Sequence, residues 1–301
     1  MVVEISDWND LDNVRNDLNG DYVLVNDLDS ETNGYAGIGD DFTPIGVGLS
    51  GNFNGTFDGQ GYQISDLVVS IDADSVGLFG AVSRDTSQFT IIENLSVSGS
   101  VTNTGENPRT GGLAGFLDGD GGGEIKNCVS HVDVTSSGGE VGGLVGRVQL
   151  DTVTDSYATG SVDGGGSDVG GLVGTNTQGT IQTSYAVGPV TAGNAGGLVG
   201  DVSNGTVTDS YWDTETSGES TSDGGTGLTT AEMQGSEAET NMDGFDFENT
   251  WDSVLESDDD TSADGYPILL ALNRENQLEE QGIFQDLQPP EPPTNLQAEL
   301  L

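Results

Sequence analysis

A nearly side-chain-free phrase returns along this chain, and it restricts the possible folds more than any other feature. VGGLVG occupies residues 141–146 and 169–174, AGGLVG occupies 195–200, and shorter versions occupy 111–115 and 76–80. The leucines of these phrases lie 35, 31, 28 and 26 residues apart, at Leu78, Leu113, Leu144, Leu172 and Leu198. Such self-similarity is typical of repeat proteins, in which each unit packs mainly on its neighbours.

The segments between the phrases keep the same phase. In the last three repeats an aliphatic residue follows the leucine by nine positions, at Val153, Ile181 and Val207. The earlier equivalents are Ile92 and Ile125, and a valine follows Ile92, Ile125, Val153 and Ile181 by another nine positions, at Val101, Val134, Val162 and Val190. These segments are short, β-branched and bounded by glycine, which predicts strands. Units shorter than the ~40–45 residues of a β-propeller blade favour an all-β fold of another kind. We predict a right-handed parallel β-helix with a cap at each end.

We interpret each glycine phrase as a structural corner of a coil. One leucine enters the core, and the flanking glycines allow a positive φ and a close approach of neighbouring backbones. A phosphate-binding loop would need a helix after the phrase, whereas a strand is predicted there. The residues assigned to the corners are Gly112, Leu113, Gly143, Leu144, Gly171, Leu172, Gly197 and Leu198.

The sequence divides into four predicted segments. These are an N-terminal helix and strand cap over 1–30, the coils over 31–212, an irregular C-terminal cap over 213–273, and a proline-rich tail over 274–301 that could dock on a partner. The N-terminal helix is predicted because Trp8, Leu11, Val14 and Leu18 have the spacing of one helix face. A helix there would cover the open end of the solenoid.

The repeats resemble the GLUG motif, which is named for a core of Gly, Leu, a hydrophobic residue and Gly. GGLVG followed by TVTDSYATGSV has this form, and NGTFDGQGYQISDL and YWDTETSGESTSDGGTGLTTAEMQG are similar to the flanks of such arrays. The resemblance covers roughly residues 4–273. It implies a β-helical surface module of the adhesin-like kind found in bacteria and haloarchaea, and it supplies no catalytic residues. PPEPPTNLQAELL is similar to the opening strand of a fibronectin type III domain.

The charge of the chain restricts its setting and its partners. Its 51 acidic and 6 basic residues give a formal charge of -45. This excludes most nucleic-acid binding, which needs a basic face, and disfavours an anionic membrane surface. A folded chain with this charge repels itself unless salt screens it, because the Debye length falls to about 3 Å only near 1 M salt. We therefore expect a protein of a hypersaline environment, with calcium binding by acidic loops as the competing explanation.

The two ends and the single cysteine bear on where the chain works. The N-terminal sequence MVVEISDWND lacks the basic and apolar regions of a secretory signal, and no apolar run has the length of a membrane span. Cys128 is the only cysteine, so an internal disulfide is impossible. We expect an extracellular protein or a component of a virion surface, since virions are released by lysis and need no secretory signal.

A column of tyrosines is the first candidate for ligand binding. Tyr157, Tyr185 and Tyr211 each follow the aliphatic residue of a repeat by four positions, with Asp155 and Asp209 nearby. If the rings face outward, their faces suit the C–H face of a sugar, and the carboxylates can accept hydrogen bonds from its hydroxyls. The alternative is a stack of rings that stabilises the solenoid.

Two acidic segments are candidates for cation binding. Asp118, Asp120 and Glu124 in LDGDGGGEI offer the oxygen ligands that calcium prefers, but their spacing is not that of an EF-hand loop. The alternative is a solvated insertion loop. Glu256 and Asp258, Asp259 and Asp260 are open to the same two interpretations.

Catalysis is not supported by any assembled group in the sequence. Arg84, Arg109, Lys126, His131 and Arg147 are scattered among the columns, and hydrolase-like carboxylate pairs cannot be identified among so many acids. The leading hypothesis is a non-enzymatic structural and attachment protein: a virion fibre, spike or baseplate component, or a surface adhesin. It would contact surface glycans, an S-layer protein, other surface or virion proteins, or a second copy of itself. The alternatives are a carbohydrate-active hydrolase and a purely structural spacer.

Overall fold

The computed structural model describes residues 1–47, 51–83, 89–106, 108–119, 122–258 and 261–284. It confirms the predicted fold class. The β-strands pair in parallel with the equivalent strands of the next coil, and antiparallel pairing among the described strands is confined to the C-terminal cap. The chain therefore winds as a parallel β-helix whose successive coils stack at the usual strand spacing of about 4.8 Å.

Twenty-seven strands are described. In chain order they are β1 Val2–Ile5, β2 Asp21–Leu24, β3 Thr56–Asp58, β4 Gln63–Ile71, β5 Ser75–Val76, β6 Phe79–Ser83, β7 Thr90–Asn103, β8 Arg109–Gly111, β9 Ala114–Asp118, β10 Gly123–Ser136, β11 Glu140–Gly142, β12 Val145–Gln149, β13 Thr152–Thr154, β14 Tyr157–Ala158, β15 Val162–Gly164, β16 Asp168–Gly170, β17 Val173–Thr177, β18 Thr180–Gln182, β19 Tyr185–Ala186, β20 Val190–Thr191, β21 Ala195–Gly196, β22 Val199–Ser203, β23 Thr206–Thr208, β24 Tyr211–Asp213, β25 Thr226–Leu228, β26 Trp251–Asp252 and β27 Ile268–Leu269.

Three parallel sheets form the walls of the solenoid. We call the 15-stranded sheet that contains β7 and β10 the broad face. The other two sheets have five strands each, β5-β8-β11-β16-β21 and β6-β9-β12-β17-β22, and each glycine phrase joins one of these sheets to the other. The broad face carries the tyrosine column. We call the two five-stranded sheets the narrow sheets, and they meet along the line of glycine corners.

The pairing register confirms the columns predicted from the repeat phase. Ile125 pairs with Ile92 and with Val153, and Ile181 pairs with Val153 and with Val207. The second column pairs in the same way along Val101, Val134, Val162 and Val190. The corner leucines are all fully buried, at Leu78, Leu113, Leu144, Leu172 and Leu198. Apolar columns set the register because a slip by one residue would expose an entire column.

The corner glycines are required for close approach, whereas the predicted positive φ is wrong. The structure describes all the glycines assigned to the corners, and none lies in the left-handed region. A Cβ added to Gly143 would lie 2.3 Å from the carbonyl oxygen of Gly171, and one added to Gly171 would lie 2.3 Å from that of Gly197. Side chains are excluded at these positions because the backbone of the next coil already fills the space.

Left-handed residues occur instead in a column on the broad face. Five equivalent residues have positive φ: Asn94, Asn127, Asp155, Thr183 and Asp209. Asn and Asp tolerate this conformation better than other residues with a Cβ. Their side chains also bond along the column, since Asn127 Nδ2 donates to Asn94 Oδ1 at 3.0 Å and Thr183 Oγ1 donates to Asp155 Oδ1 at 2.6 Å.

The N-terminal cap is formed as predicted, with one more strand. Helix α1 spans Trp8–Asn13 and continues as a 3-10 turn, and Asp7 caps it by accepting a hydrogen bond from the Asp10 amide. Trp8, Leu11 and Val14 are fully buried. Strand β1 precedes the helix, and it pairs in parallel with β2, which follows the helix.

The C-terminal cap extends beyond its predicted boundary at residue 273. Helix α2 spans Gly235–Asn241, and helix α3 spans Arg274–Glu280 inside the predicted tail. Helix α3 packs on the chain itself, since Leu278 and Gln277 are buried and the Asn273 amide donates to the Gly61 carbonyl oxygen at 3.3 Å. Residues 285–301, which include the proline-rich part of the tail, lie outside the described residues.

Candidate functional site

The tyrosine column points away from the solenoid core, but it is not an exposed stripe. Tyr157 pairs with Tyr185, which pairs with Tyr211, and the rings of Tyr157 and Tyr185 stack at 4.7 Å with planes 5° apart. Tyr157 and Tyr185 are 0% exposed and Tyr211 is 6% exposed. The expectation of a solvent-facing ligand surface is therefore wrong, because the C-terminal cap covers the column.

Aromatic residues of the cap complete this buried cluster. The Trp251 ring lies 5.7 Å from that of Tyr185, and the Phe245 ring lies 4.6 Å from that of Trp251. The tyrosine hydroxyls also bond to the cap: Tyr157 to Gln277 Oε1 at 3.0 Å, Tyr185 to the Pro267 carbonyl oxygen at 2.6 Å, and Tyr211 to that of Asp243 at 2.9 Å. The arrangement matches the predicted alternative, a stack that stabilises the solenoid.

Burial of these hydroxyls changes their acidity. Desolvation raises the pKa of Tyr157 and of Tyr185 well above the ordinary value, and it raises the pKa of Tyr211 to about 12. The three groups therefore stay protonated at any pH near neutrality. They act as hydrogen-bond donors to the cap and not as acid–base groups.

The aspartates next to the tyrosines have a backbone explanation. Asp155 and Asp209 belong to the left-handed column, and Asp155 accepts the hydroxyl of Thr183. Asp209 is exposed and lies against Gly244 of the cap, where an added Cβ would approach its side chain to 2.6 Å. Neither aspartate faces an exposed aromatic ring of the column, since the rings are covered.

The predicted cation ligands do not assemble into a described site. Asp118 accepts a hydrogen bond from Gln149 Nε2 at 3.0 Å, and Glu124 lies on β10. Asp120 lies outside the described residues. Within the part of the chain that is described, no group of three or more His, Cys, Asp or Glu residues could hold a metal ion.

The second acidic segment is used structurally where it is described. Asp258 accepts the Leu255 amide and pairs with Arg274 at 3.0 Å, and the Glu256 amide donates to Asp264 Oδ1 at 2.7 Å. Asp259 and Asp260 fall outside the described residues. Arg274 also pairs with Asp252, which ties helix α3 to the cap.

Cys128 and His131 do not meet in a nucleophile and base pair. Cys128 is fully buried in a column whose later members are serines, and its amide donates to Ser156 Oγ at 3.1 Å. Burial raises the pKa of its thiol to about 12. His131 Nδ1 lies 2.6 Å from Thr159 Oγ1, and its ring contacts the edge of Tyr157 at 5.9 Å.

His131 should make the fold sensitive to mild acid. Part of its side chain reaches the surface, but Nε2 is shielded and has no hydrogen-bond partner among the described residues, and burial lowers the pKa of His131 to about 4 from the ordinary 6.5. The unfolded chain then binds more protons than the folded chain between those values, so stability falls as pH falls through that window. His131→Gln should remove up to roughly 3 kcal/mol of this pH dependence.

The measurement is the free energy of unfolding of the unaltered chain and of His131→Gln, from pH 7.5 to 4.5 at constant salt. Subtracting the two curves cancels the carboxylates, which they share. A difference curve that is flat between pH 6.5 and 4.5 would contradict a neutral, buried His131.

The structure brings together one charged cluster that the sequence left scattered. Arg109 pairs in register with Glu140, and Arg147 lies across the glycine corner from it. Glu140 forms ion pairs with both arginines: its carboxylate lies 3.3 Å from Arg109 Nε and 3.1 Å from Arg147 Nη1. Arg109 Cζ also lies 4.3 Å from the centroid of the Phe116 ring, and Arg147 Cζ lies 5.8 Å from it. We call Arg109, Phe116, Glu140 and Arg147 the corner cluster.

The corner cluster is half-buried, and it sets two guanidinium groups against one carboxylate where the two narrow sheets meet. Burial raises the pKa of Glu140, although Arg147 and Arg109 act in the opposite direction. A cavity of about 490 Å³ opens at the cluster toward the N-terminal coils. The signal for this site is present in the sequence, because the repeat phase already places residues 109 and 140 at equivalent positions.

The fold and its corners can now be compared with known proteins. The family model described as the GLUG motif matches residues 137–163, which span one corner and the strands on either side of it. The chain therefore contains a GLUG motif. The matched unit is one of several repeats in this chain that pair in the same register, as the parallel ladders show.

Two curated relatives match part of this chain. Halomucin of Haloquadratum walsbyi is 35% identical over 167 residues, which is 52% of this chain and 2% of that protein. A protein of Evansella cellulosilytica named as a Gly-rich membrane protein is 32% identical over 137 residues, which is 44% of this chain and 12% of that protein. The chain therefore spans a small fraction of the length of these relatives.

A solved structure has the same fold over nearly the whole chain. It is named for an immunoglobulin A1 protease of Bacteroides ovatus and superposes with a TM-score of 0.58 over 90% of this chain and 92% of that chain, at 20% identity. At this identity the likeness concerns the fold alone. No helix in the described ranges has the length and apolarity that crossing a bilayer requires.

Proposed function

We propose that this chain is a non-enzymatic structural and attachment module, exposed at an extracellular surface in high salt, that contacts surface glycans. The observation that supports this proposal is that the acidic side chains lie at the surface and the core is apolar. Among the described carboxylates only Asp151 and Asp213 are buried, while one continuous apolar core runs through the coils. The surface of the coils and caps therefore carries nearly all of the acidic residues that the structure describes.

Such a surface favours a saline setting for a physical reason. Carboxylates on successive coils repeat at short distances, and their repulsion is screened only when the Debye length approaches a few ångströms. The two buried carboxylates are compensated by hydrogen bonds. Asp213 accepts from Tyr266 Oη and Thr230 Oγ1, each at 2.6 Å, and Asp151 accepts from the amides of Gly122 and Gly123 at 3.1 and 2.9 Å. The similarity to halomucin is consistent with this setting.

Binding without turnover is favoured by what the sites contain. The tyrosines are locked under the cap, Cys128 is an inert buried thiol, and the corner cluster pairs its one carboxylate with two arginines. A solenoid also presents its coils as a rigid, repeated surface, which suits extended ligands. An S-layer protein, a second copy of the chain or a virion setting stays a prediction, as does the hydrolase alternative.

The test is binding of the purified chain to intact haloarchaeal cells in multimolar salt, with released sugar measured in the same samples. We expect saturable binding that periodate oxidation of the cell glycans abolishes, without release of sugar. Release of oligosaccharide would replace this proposal by the hydrolase alternative. Absence of saturable binding would overturn the attachment role and leave a structural spacer.

A further inference from the structure

We infer that the cavity beside the corner cluster binds one or two neutral sugar units of a glycan chain, an inference that rests on the proposed glycan contact. The cavity lies in the first glycine corner, between the two narrow sheets. Its volume is about 490 Å³, within the ~300–1,000 Å³ of small-ligand sites. The lining residues that matter here are Asp72, Asp74, Ser75, Ala81, Arg109 and Phe116.

The cavity exists because one column changes its residue size between coils. Ala81 pairs with Phe116, which pairs with Arg147, so the three side chains occupy equivalent outward positions on successive coils. The next two coils fill the position with a ring or a guanidinium group, whereas Ala81 leaves it empty. Gly46, from the turn-rich segment that precedes the first full coil, also lines the cavity and adds no side chain to it.

One wall of the cavity is suited to the apolar face of a sugar ring. Phe116 is partly exposed, and it borders the space above the Ala81 methyl group. Arg109 holds the ring in place by lying over it at 4.3 Å, and Arg147 approaches it from the next coil. A pyranose can pack its C–H face on the part of Phe116 that borders the cavity, and the arginines that lie over the ring keep it from having to reorganise.

The remaining walls are suited to hydroxyl groups. Asp72 and Asp74 are exposed carboxylates that accept hydrogen bonds, and Ser75 and Asn52 can both donate and accept. Arg109 uses Nε toward Glu140, and its Nη atoms make no hydrogen bond within the described ranges. A sugar hydroxyl both donates and accepts, so it can satisfy a carboxylate and a guanidinium group together.

The charge balance of the cavity selects a neutral ligand. Asp72, Asp74 and Asp118 line it together with a single cation, Arg109, whose charge is shared with Glu140. A uronic acid or a sulfated sugar would meet more carboxylates than cations and would be repelled. A metal ion is disfavoured because Arg109 lies among the carboxylates.

The test is a titration of the purified chain in multimolar salt with the methyl α-D-glycosides of glucose, galactose and mannose. Methyl glucuronide is the anionic comparison, and binding is measured by ligand-observed NMR. We expect at least one neutral glycoside to bind and the glucuronide to bind at least about tenfold more weakly. Ala81→Phe, which fills the cavity with the residue of the next coil, should abolish binding. Asp201→Ala alters the same column four coils away from Ala81 and should leave binding unchanged.

A second variant keeps the test decisive if Ala81→Phe does not fold. Replacing the exposed pair Asp72→Ala and Asp74→Ala should weaken neutral binding by about tenfold, because charge-assisted hydrogen bonds are lost, and should strengthen glucuronide binding. Equal binding of neutral sugars by all variants, or tighter binding of glucuronide by the unaltered chain, would overturn the inference.

The outcome for the cavity can be separated from that for the whole function. If Ala81→Phe binds cells as the unaltered chain does, attachment stands and this cavity is not its site. If the unaltered chain binds a neutral glycoside but no cells, the cavity assignment stands and the attachment role fails.

Discussion

Tyr185→Ala is expected to release the C-terminal cap and to lower the free energy of unfolding by about 3–5 kcal/mol. Tyr185 is 0% exposed, stacks on Tyr157 at 4.7 Å, and lies 5.7 Å from Trp251. Its hydroxyl also satisfies the buried carbonyl oxygen of Pro267. Removing the ring opens a cavity at the centre of the contact between cap and broad face. Chemical denaturation and limited proteolysis of residues 213–284 measure the effect.

Tyr185→Phe is the matched control for this prediction. It keeps the ring and removes one hydrogen bond, so it should cost about 1–3 kcal/mol, the penalty of leaving one buried carbonyl unpaired. The order of the two variants decides the interpretation. If the alanine variant is as stable as the phenylalanine variant, the aromatic stack is not what holds the cap.

Gly171→Ala is expected to destabilise the coils by about 3 kcal/mol or more. The new Cβ would lie 2.3 Å from the Gly197 carbonyl oxygen and 3.0 Å from Ala186 Cβ. The first of these contacts is with backbone, which cannot rotate away as a side chain can. The coils on either side would have to separate locally, and that would weaken the parallel ladders at the corner. Thermal or chemical unfolding measures the loss.

The matched control is Gly193→Ala, in the loop that precedes the same corner of the next coil. An added Cβ there meets nothing within 4 Å, and the residue is exposed. Because alanine restricts the unfolded chain, this variant should be neutral or stabilised by up to about 1 kcal/mol. A large loss at position 193, or none at position 171, would contradict the account of the corners.

The sequence contains enough information to predict the coils, because their signal is local and periodic. Apolar residues at fixed phase predicted the pairing of Ile125 with Val153 and of Val134 with Val162, and both are observed. The conformation of the corner glycines was predicted wrongly for an equally local reason. A glycine can be required by a positive φ or by a crowded neighbour, and the sequence alone does not distinguish the two.

The candidate sites were less predictable because they depend on contacts between distant residues. Tyr185 bonds to Pro267, 82 residues away, and the irregular cap has no period that would place it on the tyrosine column. Outward-facing aromatics were therefore predicted as a binding surface although they are an internal contact. The corner cluster was overlooked for the opposite reason, since each charged residue was judged singly rather than by its neighbours in register.

The return of the C-terminal segment over the broad face has a mechanical consequence. Its contacts reach Gly61 and Gln63 near the first coils and Tyr211 near the last. A rod stretched along its axis would ordinarily open one coil at a time, since each coil is held only by its neighbours. Here the returning C-terminal segment, which we call the strap, spans those coils alongside their β-ladders. Tension is therefore shared between the strap and the ladders. The strap would have to peel away before the coils could separate, which makes the module a stiff element under shear at a surface.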